Sequence, residues 1–226
     1  MSQAMNKKIL VIAPHADDEV LGVGGTMARF AAEGAEVYVV IATQGYPPDY
    51  PEEISENVRQ QGFAANRLLG VKETRFLPLP AANLDRVPYR DINHQLVEAI
   101  RNIQPEVLYI PFNGDLHVDH QIIFLSALVA ARPNCINAQT TFSANENLSE
   151  TNWNAPYLTP NFVPNVFVDI SGYLEMKIQA LEIYASQLKP FPHERSEETL
   201  RALATLRGST VGRFAAEAFV MVREII

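Results

Sequence analysis

Two short stretches concentrate the side chains of this 226-residue chain that could do chemistry. In the first, the apolar run Ile9–Ala13 breaks at Pro14 into His15, Asp17, Asp18 and Glu19. In the second, the apolar run Val107–Ile110 leads into Asp115, His117, Asp119 and His120. Three of the five histidines therefore follow two apolar runs. Such a set suits a catalytic zinc, which takes three N/O ligands and keeps a fourth position for water. His15, Asp18 and one of His117 or His120 would supply the ligands. Spacing does not choose between the two histidines, nor between zinc and another divalent ion, because two imidazoles and a carboxylate also serve iron. A bound metal lowers the pKa of water to about 7, and a carboxylate outside the ligand set can take its proton. Asp17, next to Asp18, is the obvious base. His117 and His120 are three apart and share a face if they open a helix, where Asp119 can buttress a ring nitrogen. Asp17 to Glu19 also read as an acidic helix start favoured by the macrodipole, with Glu19 in a capping or supporting role, but that leaves His15 unexplained.

The elements that must position these residues alternate. Strands are expected at Ile9–Ala13, Glu36–Ala42, Arg75–Leu79 and Val107–Ile110, and helices at Gly24–Glu33, Glu52–Leu69, around Ile92–Ile103, and at Gln121–Ala131. Alternation with short connections over residues 8–132 is the pattern of βαβ units. It predicts an α/β fold, a Rossmann-like three-layer αβα sandwich with a mostly parallel sheet. Both chemical stretches then fall at the C-terminal ends of strands, where open α/β sheets bind ligands. Residues 134–164, rich in Asn, Thr, Ser and Pro, read as a long irregular functional connection. A strand at Asn165–Asp169, a helical stripe Leu174–Ile178–Leu181–Tyr184–Leu188, a helix capped by Ser196 and running to Leu206, and a strand at Ala218–Val222 complete the chain. The expected organisation is one domain over 1–226, with the core in 8–132 and a substrate-side loop and C-terminal completion in 133–226.

A formal net charge of −8, with no run of Lys or Arg, argues against nucleic acid or an anionic membrane as partner. Lys7 and Lys8 precede an apolar run too short for a signal segment or a membrane span, so a cytoplasmic protein is expected. One cysteine, Cys135, excludes an internal disulfide and a cysteine-rich zinc module, and it has no basic neighbour to activate it. Gly22-Val-Gly24-Gly25 lacks dinucleotide-loop spacing and follows three acids that repel phosphate. His94 reads as an exposed helix residue.

His15-Ala-Asp17-Asp18-Glu19 resembles the His-Pro-Asp-Asp-Glu motif of the PIG-L/LmbE-like zinc-dependent N-deacetylases (GlcNAc-type de-N-acetylases), and His117-Val-Asp119-His120 resembles their His-x-Asp-His motif. The similarity extends to Leu148-Ser-Glu-Thr-Asn-Trp153, the Lys177–Gln187 helix ending in Tyr184-Ala-Ser-Gln187, Arg207-Gly208 and Ala216-Glu217-Ala-Phe219. This resemblance implies a hydrolase that removes acetyl from an N-acetylated amino sugar or a GlcNAc-containing metabolite. It implies His15, Asp18 and His120 as zinc ligands and Asp17 as the base. It also implies His117 as the group that stabilises the oxyanion or protonates the leaving amine, with Asp119 holding it charged. Two departures stand out. Ala16 replaces the proline, and Val58 and Gln61 occupy places where the family often carries a substrate-contacting arginine and glutamate, with Arg59 one residue away. Asp85, in the loop after the third strand, and His193, between Pro192 and Glu194, are further candidates for touching a sugar, and Trp153 is a candidate wall for it. A homo-oligomer built from trimers, a trimer or a hexamer, is implied, in which a neighbouring subunit could supply His193. The rivals are a zinc amidase for another small N-acyl substrate and a non-catalytic Rossmann-like module for a nucleotide or sugar nucleotide.

Overall fold

Strand β1 (Lys8–Ala13) has no polar alternation because it is buried on both faces. In the computed structural model, which describes residues 6–133 and 141–225, it lies near the middle of a seven-stranded sheet. Helix α1 (Asp18–Ala32) leads to β2 (Glu36–Gln44), α2 (Glu52–Leu68) and β3 (Glu73–Pro80). A 3₁₀ turn (Leu84–Arg86), α3 (Tyr89–Ile103), β4 (Val107–Pro111), α4 (Val118–Ala130) and β5 (Thr141–Asn145) follow. The chain continues through β6 (Val166–Asp169), α5 (Leu174–Ile183), α6 (Glu197–Ser209) and β7 (Ala216–Glu224).

The strand order is β3-β2-β1-β4-β5-β7-β6. Strands β1 to β5 are parallel, and β7 pairs antiparallel with both β5 and β6. Alternate strand residues feed two cores. Ile9, Val11, Val39 and Tyr109 pack with α1, α5 and α6 on one face. Leu10, Ile12, Val40 and Leu108 pack with α3 and α4 on the other. This is the expected three-layer α/β sandwich. From β1 the chain winds outward through β2 to β3, then returns to place β4 on β1's other side. The strand order reverses between β1 and β4, and open sheets form their ligand crevice beyond the C-terminal ends at such a switch point.

Four expectations are corrected, the first being that helix α5 stops at Ile183, short of the expected Tyr184, Gln187 and Leu188. Helix α1 begins at Asp18 rather than Gly24, so Asp18 and Glu19 occupy its first turn. Its glycines are there for close packing: a Cβ on Gly25 would stand 2.7 Å from Ile170 Cδ1, and one on Gly22 2.2 Å from Asn145 Nδ2. Helix α4 begins at Val118, three residues early, because His117 is its N-cap. Strand β5 lies inside the stretch expected to be irregular. Cys135 lies outside the described residues. No helix among the described residues is long and apolar enough to cross a membrane.

Candidate metal centre and active site

The register Ile9↔Val107 and Val11↔Tyr109 sets the ends of β1 and β4 side by side, which brings residues 15–19 against residues 115–120. The loop after β1 is shaped by its own acids. Asp18 Oδ2 accepts the His15 amide at 2.9 Å, and Glu19 Oε2 accepts the Asp17 amide at 3.0 Å. Asp17 sits at φ 114°, a left-handed region that costs a non-glycine residue about 1–3 kcal/mol and clusters at functional sites. Glu19 is held in turn by the Tyr184 hydroxyl (2.7 Å) and the Asn66 amide (3.2 Å).

Three donor atoms meet at Asp18. Its Oδ2 lies 3.3 Å from His15 Nδ1 and 3.2 Å from His120 Nε2. Asn147 Nδ2 holds the other oxygen, Oδ1, at 3.1 Å. His15, Asp18 and His120 could hold a metal ion, as could a second set formed by His15, His117 and Asp119. The first set fits a metal better, because His120 Nε2 is buried and makes no hydrogen bond. A buried ring nitrogen that makes no hydrogen bond is costly unless something binds there. The outer nitrogens of both rings carry carboxylates: His120 Nδ1 meets Asp115 Oδ2 at 2.8 Å, and His15 Nε2 meets Asp119 Oδ2 at 3.0 Å. Metal-binding imidazoles are typically oriented this way.

The electrostatics favour positive charge at this point. Burial acts to lower the His15 pKa, yet hydrogen bonds that Asp119 and Asp18 accept from its ring carry it up to about 9. Burial likewise opposes charge on His120, but Asp18 and Asp115 raise it well above the usual imidazole range. Asp18, although buried, is held well below the carboxylate range by His120 and His15. Asp17 moves the other way: burial pushes it up to about 8 against the pull of Arg195.

Asp119 takes a different position from the one expected. Its carboxylate binds His15 and the amides of Ala82 (2.7 Å) and Leu84 (3.2 Å), so it does not brace His117. Its link to His117 is its backbone amide, which donates to His117 Nδ1 at 3.1 Å because that ring caps α4. Burial and the neighbouring His15 lower the His117 pKa. A ring whose Nδ1 accepts a hydrogen bond is left with Nε2 as its donor.

A cavity of about 240 Å³ opens beside the centre, with His15, Asp17, His117, Glu150 and Arg195 at its polar end. Ile54, Val58, Phe76 and Ala82 form an apolar wall. Arg59 lines the same cavity, bonded to Gln44 (2.8 Å) and lying over the Phe76 ring. Asp85 is exposed on the 3₁₀ turn and His193 stacks edge-on against Trp153, and neither lines this cavity. His94 is exposed on α3.

Asp115, Asn147, Glu150 and Arg195 had no role assigned from the sequence. Asp115 stands five residues before His120 and was within reach of a spacing argument. Glu150 lies in the stretch 148–153 that resembled the family. Arg195, which bonds Asp17 Oδ2 at 2.7 Å, is 178 residues from its partner, and no local pattern announces it.

The PIG-L family model, described as GlcNAc-PI de-N-acetylase, matches residues 10–131, more than half of the chain. The chain belongs to the PIG-L family. The matched segment runs from β1 through α4 and contains every candidate ligand. Over 233 residues the chain is 28% identical to the diacetylchitobiose deacetylase of Thermococcus kodakarensis, covering 93% of this chain and 81% of that protein. It is 25% identical over 258 residues to a 1D-myo-inositol 2-acetamido-2-deoxy-α-D-glucopyranoside deacetylase of Kribbella flavida, covering 83% and 85%. Among solved PIG-L-type structures, the N,N'-diacetylchitobiose deacetylase of Pyrococcus horikoshii superimposes with a TM-score of 0.77 at 27% identity, covering 96% of this chain and 84% of that one.

Proposed function

We propose that this chain is a metal-dependent N-deacetylase, a hydrolase that removes acetyl from an N-acetylated amino sugar or a GlcNAc-containing metabolite. The observation that carries the reading is the convergence of His15 Nδ1, Asp18 Oδ2 and His120 Nε2 beside a cavity lined by Asp17 and His117. The similarity to enzymes named as deacetylases of acetamido sugars supports the substrate class.

His15, Asp18 and His120 would hold a zinc ion. When bound, the ion supplies Lewis-acid polarisation of the amide carbonyl and makes water a stronger acid. Asp17 accepts the proton of the attacking water and returns it to the leaving nitrogen, so that acetate and a primary amine depart. His117 donates from Nε2 to the developing oxyanion, stabilisation of the kind that fixed donors give a tetrahedral intermediate. Asp115 and Asp119 hold the His120 and His15 rings in orientation. The acetamido group occupies the polar end of the cavity, with Arg59 the candidate for reaching the rest of the substrate. Asp85 and His193, outside this cavity, are candidates only for a larger substrate or a neighbouring subunit.

Residues 1–226 are read as one domain, acting in the cytoplasm as a homo-oligomer of trimeric or hexameric kind. Light scattering tests the oligomer. The functional test is incubation of the zinc-loaded protein with N-acetylglucosamine, diacetylchitobiose and a GlcNAc-inositol, with detection of primary amine and acetate. Release that stops with a chelator and returns with zinc is the expected result. Hydrolysis confined to other N-acyl compounds, or none at all, would overturn the substrate assignment.

A further inference from the structure

We propose that Arg195 is a positioning residue for the base Asp17, fixing the direction of its carboxylate; this rests on the function proposed above. Arg195 lies in the loop between α5 and α6, far from both chemical motifs in sequence. Its side chain is 17% exposed, and all three guanidinium nitrogens are engaged. Nη1 donates to Asp17 Oδ2 at 2.7 Å and to Gln187 Oε1 at 3.1 Å. Nε donates to Ser149 Oγ at 2.6 Å, and Nη2 reaches Glu150 Oε1 at 3.5 Å. The fork is therefore fixed by groups from the loop after β5 and the loop after α5 before it meets Asp17. A planar guanidinium held by several acceptors transmits direction, which a single-point ammonium does not.

Asp17 needs such a fixture. Its backbone is in the left-handed region, its amide is tied to Glu19, and Asp18 and Glu19 follow it directly. An aspartate free to swing about Cα–Cβ could turn toward either neighbour or toward His15. With Oδ2 taken by Arg195, the remaining oxygen, Oδ1, has no hydrogen bond among the described residues and is available to a reacting proton. Two fixed points, the amide and Oδ2, define where Oδ1 lies. Positioning of this kind matters because a displacement of about 1 Å in a catalytic group costs up to ~10²-fold in rate.

The test compares wild type, Arg195→Ala, Asp17→Asn and the double variant as zinc-loaded proteins. Turnover is measured on the N-acetyl sugar that wild type hydrolyses best, alongside zinc content and a crystal structure of Arg195→Ala. For Arg195→Ala the expected result is a kcat lower by about 10- to 100-fold with KM changed less than about threefold, the signature of a group acting on the chemical step rather than on substrate binding. Zinc content stays stoichiometric, and added guanidinium restores part of the lost kcat. The double variant is no slower than Asp17→Asn, since Arg195 acts only through Asp17. A kcat within about twofold of wild type, a further loss in the double variant, or loss of zinc with Arg195→Ala would each overturn the assignment. If wild type hydrolyses no N-acetyl compound, the proposed function fails, and the crystal structure still decides the positioning. An Asp17 carboxylate that has rotated away supports it, and one that keeps its place overturns it.

Discussion

Replacing Asp115 should weaken metal binding in proportion to how much of its interaction with His120 is removed. Asp115 is fully buried, its Oδ2 lies 2.8 Å from His120 Nδ1, and its Oδ1 accepts the Thr151 hydroxyl at 2.6 Å. Asp115→Asn keeps the shape and an oxygen that can accept from Nδ1–H, while the Thr151 hydroxyl can turn to accept from the new amide. Only the charge behind the ring is lost, so His120 becomes a poorer donor through Nε2. Outer partners of metal-binding histidines contribute roughly 10- to 100-fold in affinity, and Asp115→Asn belongs at the low end, about 10-fold or ~1.4 kcal/mol. Asp115→Ala also leaves Nδ1–H buried without an acceptor and opens a void, so it belongs near 100-fold, with about 1–3 kcal/mol lost from folding as well. Competition titration against a zinc chelator gives the affinity, and urea denaturation of the metal-free proteins gives the stability. Equal zinc affinity in wild type and both variants would refute the placement of His120 in the ligand set.

Other changes separate the roles further. Asp17→Asn should keep stoichiometric metal and lose about 10²- to 10⁴-fold in kcat, as expected for a missing general base, and near wild-type turnover would remove Asp17 from that role. Tyr184→Phe takes a 2.7 Å hydrogen bond from buried Glu19 and should cost about 1–3 kcal/mol in urea denaturation. Gly25→Ala places a methyl 2.7 Å from Ile170 and should destabilise by about 1–3 kcal/mol, read as a lower Tm, with zinc affinity unchanged.

Strands β1, β2 and β4 were legible because buried parallel strands are written as apolar runs, and the two motifs follow two of them. Strand β5 was not, because Thr-Phe-Ser-Ala-Asn carries polar residues and sits in a polar stretch. The start of α1 was displaced by its glycines, which signal a helix boundary in sequence but here make room for Ile170 and Asn145. Spacing placed His117 and His120 together without ranking them. Burial separates them, with His120 sealed against Asp18 and His117 open to the cavity. Two residues that carried the family resemblance turn out to brace the centre, since Tyr184 holds Glu19 and Gln187 holds Arg195, while Arg207 binds Glu146 at 2.7 and 2.9 Å elsewhere in the fold. The partners of Tyr184 and Arg207 are distant in sequence, and only the folded chain shows what each one supports.

Strand β7 has a consequence for the order in which the protein can be completed. It is the last of the described elements in the chain, yet it fills the gap between β5 and β6. From it, Glu217 accepts the Gly25 and Thr26 amides at 2.9 and 2.7 Å and pairs with Lys177 at 2.6 Å, while Lys177 reaches the Leu21 carbonyl. A ribosome that has released residues 1–200 has therefore made every candidate ligand, but β5 and β6 still present bare edges. The helix that bears Asp18 still lacks the Glu217 carboxylate that accepts its Gly25 and Thr26 amides. The candidate ligands lie within residues 15–120, and the last contacts on the helix that carries Asp18 arrive with residues 216–224.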